Sequence, residues 1–189
     1  MKKKTWLSIL MVNVMLVLFI GYWRTKDEQS AAKHQLIAER LDALENGNTP
    51  DFTLPDIDGK ERAFLNVEGE LILLHFWATW CAPCVIEYPS LLRLIEDFDG
   101  KIQLVAVSSD EEKKDILRFV KRFGRGGQHT LHLWDPEQRV SEQYGTEKLP
   151  ETYIFNSEFQ LLRKVPNTED WDAPRVRDFF RFLLEQTEA

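Results

Sequence analysis

The segment ELILLHFWATWCAPC, residues 70–84, constrains the fold of this 189-residue chain more than any other stretch, because it contains the chain's only two cysteines. Its first eight residues form an almost continuously apolar run, which is typical of a strand buried on both faces. A helical pattern follows over residues 82–98. The sequence therefore places Cys81 and Cys84 at the junction where a buried strand passes into a helix.

Hydrophobic periodicity in the rest of the chain predicts alternating strands and helices. Residues 50–64 contain two short strands joined at Asp58-Gly59, a turn typical of hairpins. Ser109 and Glu112 form a capping-box pattern that predicts the start of another helix. A chain that alternates in this way folds as a layered α/β domain with helices on both faces of a sheet. Further strands are predicted at residues 101–107, 130–133, 152–156 and 159–165, and further helices begin near residues 136 and 172.

Charge is distributed unevenly along the chain. The first 26 residues contain five basic residues and no acidic one. The remaining residues contain 19 basic and 31 acidic residues, which gives this part a net charge of −12. Such an acidic domain argues against binding to nucleic acid.

An apolar run of 19 residues, Thr5 to Trp23, follows three lysines at the N-terminus. Its length is close to the ~20 residues with which a helix spans a bilayer. A cleaved signal peptide is the alternative, but its apolar region is usually ~7–15 residues long and ends in a small-x-small cleavage site. The run ends instead in Gly-Tyr-Trp-Arg, with aromatic residues placed as at a membrane interface. We therefore expect an uncleaved signal-anchor, with the lysines favouring a cytoplasmic N-terminus.

These patterns divide the chain into three expected parts. Residues 1–24 are a cytoplasmic stub and a transmembrane signal-anchor. Residues 25–48 are polar and carry leucines at helical spacing, which predicts a helical juxtamembrane spacer. Residues 49–189 are the folded domain, which this orientation of the anchor places outside the cytoplasm.

The spacing of the two cysteines is compatible with four kinds of site. A structural disulfide across four residues would contribute only about 2 kcal/mol by the chain-entropy relation. Two thiolates leave a tetrahedral metal site short of two ligands, and His129 and His132 point to opposite faces of a predicted strand. Peroxidase thiols usually have a characteristic Pro and Thr placed upstream, and the residues before Cys81 do not supply that arrangement. A redox-active dithiol pair fits the sequence best.

The chemistry of a helix start explains the spacing of a dithiol pair. Unpaired backbone N–H groups and the helix dipole favour the thiolate of Cys81. Cys84 lies one turn further along the same face, close enough to form a disulfide with it. Pro83 is tolerated because the N–H that it lacks would have no partner in the first turn. Cys81 would attack a substrate disulfide, and Cys84 would resolve the mixed disulfide.

Three segments together resemble the thioredoxin superfamily, and specifically its membrane-tethered TlpA/ResA/CcmG-like thiol–disulfide oxidoreductases. FWATWCAPC matches the strand-to-helix active site, Pro89 falls at the kink of the thioredoxin helix, and EKLPETYIFN matches the cis-proline loop, with Pro150 after Leu149. The resemblance covers residues 49–187 and implies a thioredoxin-like central mixed sheet with helices on both faces. It also implies an N-terminal hairpin extension and a helix inserted within residues 110–128, all preceded by one transmembrane helix.

The resemblance further implies roles for individual residues. Cys81 is the exposed nucleophile and Cys84 the resolving thiol of a redox-active disulfide. Trp80 flanks this site. Leu149 and Pro150 contribute to substrate binding, with the Leu149 backbone offered to an extended substrate.

Glu87 and His75 are expected to modulate the cysteines. Glu87 matches the acid of the ResA-like pattern CxxCxxE, and the alternative is a solvated helix acid. His75 stands where thioredoxin has aspartate and the tethered relatives often have asparagine. A neutral imidazole could accept the proton of Cys84, and a charged one would stabilise a thiolate. The alternative is a buried histidine that only hydrogen-bonds to its neighbours.

We therefore expect a bacterial, single-pass membrane oxidoreductase whose domain faces the periplasm or its Gram-positive equivalent. In the relatives, electrons come from a transmembrane thiol carrier and go to client disulfides, commonly those of apocytochrome c during cytochrome c maturation. A disulfide-donating oxidase and a non-catalytic binding module with the same fold remain open as alternatives. The sequence predicts no cofactor, no metal and no nucleic-acid partner.

Overall fold

The computed structural model describes the backbone of residues 2–187 and the side chains of residues 15–186. By its internal contacts the chain divides into two units, Met1–Arg40 and Leu41–Ala189. Helix α1, Lys2–Glu45, makes up the described part of the first unit, and its last residues belong to the second.

Helix α1 includes the apolar run that the sequence assigns to a membrane anchor. In the portion of the chain that the structure describes, no helix combines the length and the apolar character needed to cross a membrane. The side chains of residues 1–14, which form the first part of the expected anchor, lie outside the described residues.

The second unit contains the predicted strands and helices in the predicted order. Its strands are β1 (Thr53–Pro55), β2 (Glu61–Ala63), β3 (Leu71–Trp77), β4 (Ile102–Ser108), β5 (Thr130–Trp134), β6 (Glu151–Asn156) and β7 (Leu161–Pro166). Its helices after α1 are α2 (Ala82–Asp97), α3 (Lys113–Phe123), α4 (Arg139–Tyr144) and α5 (Pro174–Thr187).

A five-stranded mixed sheet forms the centre of this unit, with the strand order β5-β4-β3-β6-β7. Strands β3, β4 and β5 are parallel, whereas β6 runs antiparallel to both of its neighbours. Strands β1 and β2 pair as a separate hairpin, and α3 lies between β4 and β5 in the chain. The expected mixed sheet, hairpin extension and inserted helix are therefore confirmed.

Two hydrophobic clusters cover the opposite faces of the sheet. The first cluster contains residues of α2, α3 and α5, and the second contains residues of α4 and of the hairpin region. Successive side chains of β3 alternate between the two clusters, as strand geometry requires. The first cluster takes Leu71, Leu73 and Trp77, and the second takes Ile72, Leu74 and Phe76. Burial on both faces explains why this strand is an almost continuous apolar run.

The start of α3 differs from the sequence prediction. The predicted capping box of Ser109 and Glu112 is wrong. Helix α3 begins at Lys113, and the Glu112 side chain makes no capping hydrogen bond. The residues after β4 are instead bound to the end of β3, where the backbone N–H of Ser109 donates to the carbonyl of Trp77 at 2.9 Å. A hydrogen bond between Ser109 and β3 is therefore present where the sequence predicted a hydrogen bond within the first turn of the helix.

Candidate active site

Cys81 is the N-cap residue of α2 and forms a disulfide with Cys84. The two Cα atoms are 5.3 Å apart, and the backbone N–H of Cys84 donates to the Cys81 sulfur at 3.3 Å. Cys81 keeps 6% of its surface exposed and Cys84 only 1%. Cys81 is therefore the member of the pair that another disulfide can approach more easily.

A buried aspartate, Asp110, holds the loop that leads from β3 to Cys81. Its carboxylate accepts hydrogen bonds from the backbone N–H and the hydroxyl of Thr79, at 3.0 and 2.5 Å, and from the Ser108 hydroxyl at 2.6 Å. The indole N–H of Trp134 donates to the Asp110 carbonyl at 2.8 Å. Sequence reasoning missed this residue. The available signal was an acid just after a buried strand, at the edge where the parallel strands end.

Two large apolar side chains beside the cysteine pair face solvent. Trp80, which the sequence places at the site, is 64% exposed, and Ile86 on α2 is 76% exposed. Large exposed apolar side chains near a reactive site are candidates for an interaction surface. Ile86 was not singled out from the sequence, because a helical residue facing solvent next to a buried face carries no distinctive pattern.

Leu149 and Pro150 precede β6 and are joined by a cis peptide bond, as the resemblance implied. Pro150 is buried and Leu149 is half-buried. Glu151, the next residue, pairs with Phe76 near the end of β3. The cis-proline therefore lies at the edge of the sheet from which the loop to Cys81 departs.

One turn beyond Cys84 on α2, the side chain of Glu87 meets that of His75 on β3. Both side chains are 1% exposed, and Glu87 Oε1 lies 3.6 Å from His75 Nε2. Glu87 Oε2 accepts a hydrogen bond from the backbone N–H of Glu169 at 2.8 Å. His75 Nδ1 lies 2.9 Å from the hydroxyl oxygen of Thr152. Glu87 is therefore a buried acid rather than a solvated one.

Comparison with known proteins agrees with this geometry. Residues 46–163 match the AhpC/TSA family. The chain belongs to that family. It is 31% identical over 169 residues to the thiol-disulfide oxidoreductase ResA of Bacillus subtilis, a similarity that covers 89% of each chain. The thiol–disulfide oxidoreductase activity predicted from the cysteine pair is confirmed at this level.

Solved structures similar to this AhpC/TSA-family chain share its fold. A protein of Chlorobium tepidum assigned as thiol:disulfide interchange protein DsbE gives a TM-score of 0.61 at 21% identity, over 74% of this chain and 94% of that one. The exposed lipoprotein thioredoxin Etrx1 of Streptococcus pneumoniae gives a TM-score of 0.56 at 25% identity, over 72% of this chain and 99% of that one. The expected thioredoxin-like α/β fold is therefore confirmed.

In this AhpC/TSA-family protein, burial shifts the pKa values of Glu87 and His75 in opposite directions. Burial raises the pKa of Glu87 from its usual 4.5 to about 7, although the hydrogen bond from the Glu169 N–H and the nearby Trp171 indole favour the charged form. Burial lowers the pKa of His75 from 6.5 to about 3, and His132 adds to the effect. Between about pH 3 and pH 7 the contact therefore joins two neutral groups and is not an ion pair.

The site thus combines a disulfide at the start of α2 with a buried acid, one turn further along the helix, whose pKa is raised to about 7. Among the described residues, no group of three or more His, Cys, Asp or Glu side chains is arranged to hold a metal ion. Sequence reasoning singled out the two cysteines, Glu87 and His75, but it missed Thr152 and Trp171 as their neighbours. Both belong to segments far from the cysteines in the chain, so no local pattern connects them to the site.

Proposed function

We propose that this oxidoreductase reduces client disulfides, with Cys81 as the attacking thiol and Cys84 as the resolving thiol. The observation that carries the proposal is the disulfide at the start of α2, in which the more exposed sulfur accepts a backbone hydrogen bond. A donor at a helix start stabilises a thiolate, which is the nucleophile of disulfide exchange. The reducing direction follows the resemblance to ResA-like proteins.

The reaction is one complete dithiol–disulfide exchange. The Cys81 thiolate attacks one sulfur of the client disulfide, and the other client sulfur leaves as a thiolate that takes up a proton. The Cys84 thiol then loses its proton and attacks the Cys81 sulfur, which releases the second client sulfur as a thiolate that is also protonated. The client gains two electrons and two protons, and the enzyme dithiol becomes a disulfide. A transmembrane thiol electron donor restores the dithiol by the same chemistry in reverse.

The proposed client-binding surface consists of Trp80, Ile86, Leu149 and Pro150. Trp80 and Ile86 offer exposed apolar area, and the Leu149 backbone pairs with an extended client segment. We propose the CxxCH disulfide of apocytochrome c as the client class, which makes this a cytochrome c maturation protein. The acidic charge of the chain after its N-terminal segment would attract a basic client, an effect that added salt would weaken.

We also propose the three-part organisation expected from the sequence. Residues 1–24 anchor the protein in the cell membrane as a single-pass helix, residues 25–48 form a spacer, and residues 49–189 form an extracytoplasmic thioredoxin-like domain. The 19-residue apolar run behind three lysines supports this assignment. Protease added outside intact spheroplasts would digest residues 49–189 in this orientation, and would leave them intact if the domain is cytoplasmic.

A trapping variant tests the proposed reaction in cells. Cys84→Ser lacks the resolving thiol, so the mixed disulfide between Cys81 and the client persists. We expect adducts that contain apocytochrome c and that dithiothreitol dissolves. The double variant Cys81→Ser/Cys84→Ser is the matched control and should capture nothing through a disulfide. Absence of dithiothreitol-sensitive adducts with Cys84→Ser would contradict the proposed function.

A further inference from the structure

Two buried polar atoms face each other at the contact between α2 and β3. Glu87 Oε1 and His75 Nε2 are 3.6 Å apart. Within the described residues, neither atom has a hydrogen-bond partner. Buried polar atoms are nearly always hydrogen-bonded, and 3.6 Å leaves no room for a water molecule between these two. The contact therefore needs only to shorten to about 2.9 Å to satisfy both atoms.

The remaining polar atoms of the two side chains are already engaged, which limits the possible proton positions. Glu87 Oε2 accepts from the backbone N–H of Glu169, so a proton on the carboxyl group belongs on Oε1. His75 Nδ1 is within hydrogen-bond distance of the Thr152 hydroxyl, which can either donate or accept. The ring of His75 can therefore carry its single proton on either nitrogen without losing a partner on the Thr152 side.

We propose that His75 and Glu87 act as one proton-exchanging unit, in which His75 stays neutral and its tautomer follows the protonation state of Glu87. When Glu87 is protonated, its O–H donates to His75 Nε2, and Nδ1–H donates to the Thr152 hydroxyl. When Glu87 is ionised, Nε2–H donates to the carboxylate, and the Thr152 hydroxyl donates to Nδ1. The two states differ by one proton, and both leave every polar atom of the pair bonded.

Neighbouring groups are arranged so that both states remain accessible. Burial and the nearby carboxylate of Glu169 raise the pKa of Glu87, whereas the Glu169 N–H and the Trp171 indole lower it. Glu169 itself is paired with Arg175 at 2.5 Å, which moderates its repulsion. On the other side, burial and His132 oppose a charge on His75. The change of charge therefore falls on Glu87, and the imidazole stays neutral in both states.

The consequence for the cysteines rests on the proposed function. Resolution of the mixed disulfide requires the Cys84 thiol to give up its proton before its sulfur attacks Cys81. Glu87 lies on α2 three residues beyond Cys84, on the same helical face. The ionised carboxylate takes this proton, and His75 stabilises both the carboxylate and the resulting acid. Thr152 is a positioning residue, because it acts only by keeping the ring of His75 bonded in either tautomer.

Nitrogen-15 NMR of the oxidised full-length protein tests the unit without any client. Spectra that connect the ring nitrogens to the ring C–H protons show which nitrogen carries the proton. We expect the proton of His75 on Nδ1 at pH 5.5 and on Nε2 at pH 8.5, with a midpoint near pH 7. The same spectra contain an internal control in His132, whose Nε2 lies 2.9 Å from the Arg125 carbonyl, a group that only accepts. The proton of His132 should stay on Nε2 at every pH.

The variant Glu87→Gln separates the unit from other causes of a tautomer change. Its carboxamide has nearly the same shape but does not titrate, so we expect His75 to remain in one tautomer from pH 5.5 to 8.5. A fixed tautomer in the wild type, an imidazolium at His75, or a switch that persists in Glu87→Gln would each overturn the proposal. The readout uses the disulfide form, so it stays independent of whether trapping with Cys84→Ser detects a client.

Discussion

Replacement of Glu87 by glutamine should change how the stability of this protein depends on pH. The folded state raises the pKa of Glu87 from 4.5 to about 7. The folded protein therefore binds this proton more tightly than the unfolded chain does. The corresponding stabilisation is fully present below pH 4.5 and is lost as the pH rises through 7. At 1.36 kcal/mol per pKa unit, the loss amounts to about 3 kcal/mol.

His75 contributes with the opposite sign over much of the same range. Its folded pKa of about 3 lies below the unfolded value of 6.5, so its contribution to stability is lost as the pH falls from 6.5 toward 3. In the wild type the two effects largely offset each other between pH 4.5 and 6.5. A comparison of Glu87→Gln with the wild type at each pH cancels most of the His75 contribution and isolates that of Glu87.

The assay is urea denaturation of the oxidised full-length protein between pH 4.5 and 8.5, followed by tryptophan fluorescence from the buried core. The free energy of unfolding of Glu87→Gln, relative to the wild type, should rise by about 3 kcal/mol across this range. Glu96→Gln is the matched control on the same helix, because the Glu96 side chain is exposed and hydrated in both states. A difference between Glu87→Gln and the wild type that does not change with pH would show that folding does not raise the pKa of Glu87.

Three further substitutions test other parts of the site and the core. Asp110→Ala leaves the Thr79 donors and the Ser108 hydroxyl without their acceptor, so urea denaturation should show a free energy of unfolding lower by about 2–3 kcal/mol. A decrease below about 0.5 kcal/mol would contradict the role of Asp110 in holding the loop. Trp80→Ala removes an exposed side chain, so steady-state kinetics should show weaker client reduction at an unchanged reduction potential; unchanged kinetics would remove Trp80 from the client surface. Phe180→Ala should lower the free energy of unfolding by about 3–5 kcal/mol, because the ring is fully buried. Phe182→Ala should change it by no more than about 0.5 kcal/mol, because that ring is exposed. Similar values for both variants would contradict the described packing.

Local patterns were sufficient to predict most of the fold. Strand β3 was predictable because burial on both faces requires an apolar run, and α2 because its apolar residues recur at helical spacing. The cis peptide bond before Pro150 came from the family resemblance alone. The start of α3 was predicted wrongly, because the segment after β4 bonds to the end of β3 instead of capping its own helix.

The residues that hydrogen-bond to His75 and Glu87 were harder to predict than His75 and Glu87 themselves. His75 and Glu87 could be singled out by their positions next to the cysteines. The hydroxyl of Thr152 reaches His75 only because β6 pairs with β3 across 77 residues of sequence. The backbone of Glu169 reaches Glu87 from a loop that follows β7. Such contacts depend on the order of the strands in the sheet and on the path of the loops. Neither can be inferred from the local sequence pattern.

The reduction potential of the Cys81–Cys84 pair shows whether this protein reduces client disulfides or donates them. The full-length protein is equilibrated in glutathione or dithiothreitol buffers of known potential, and the free thiols are counted after alkylation. A protein that reduces client disulfides should have a value near that of thioredoxin, about −270 mV, or lower. A value near the ~−120 mV of a strong oxidant would contradict that function and would make this protein a disulfide donor.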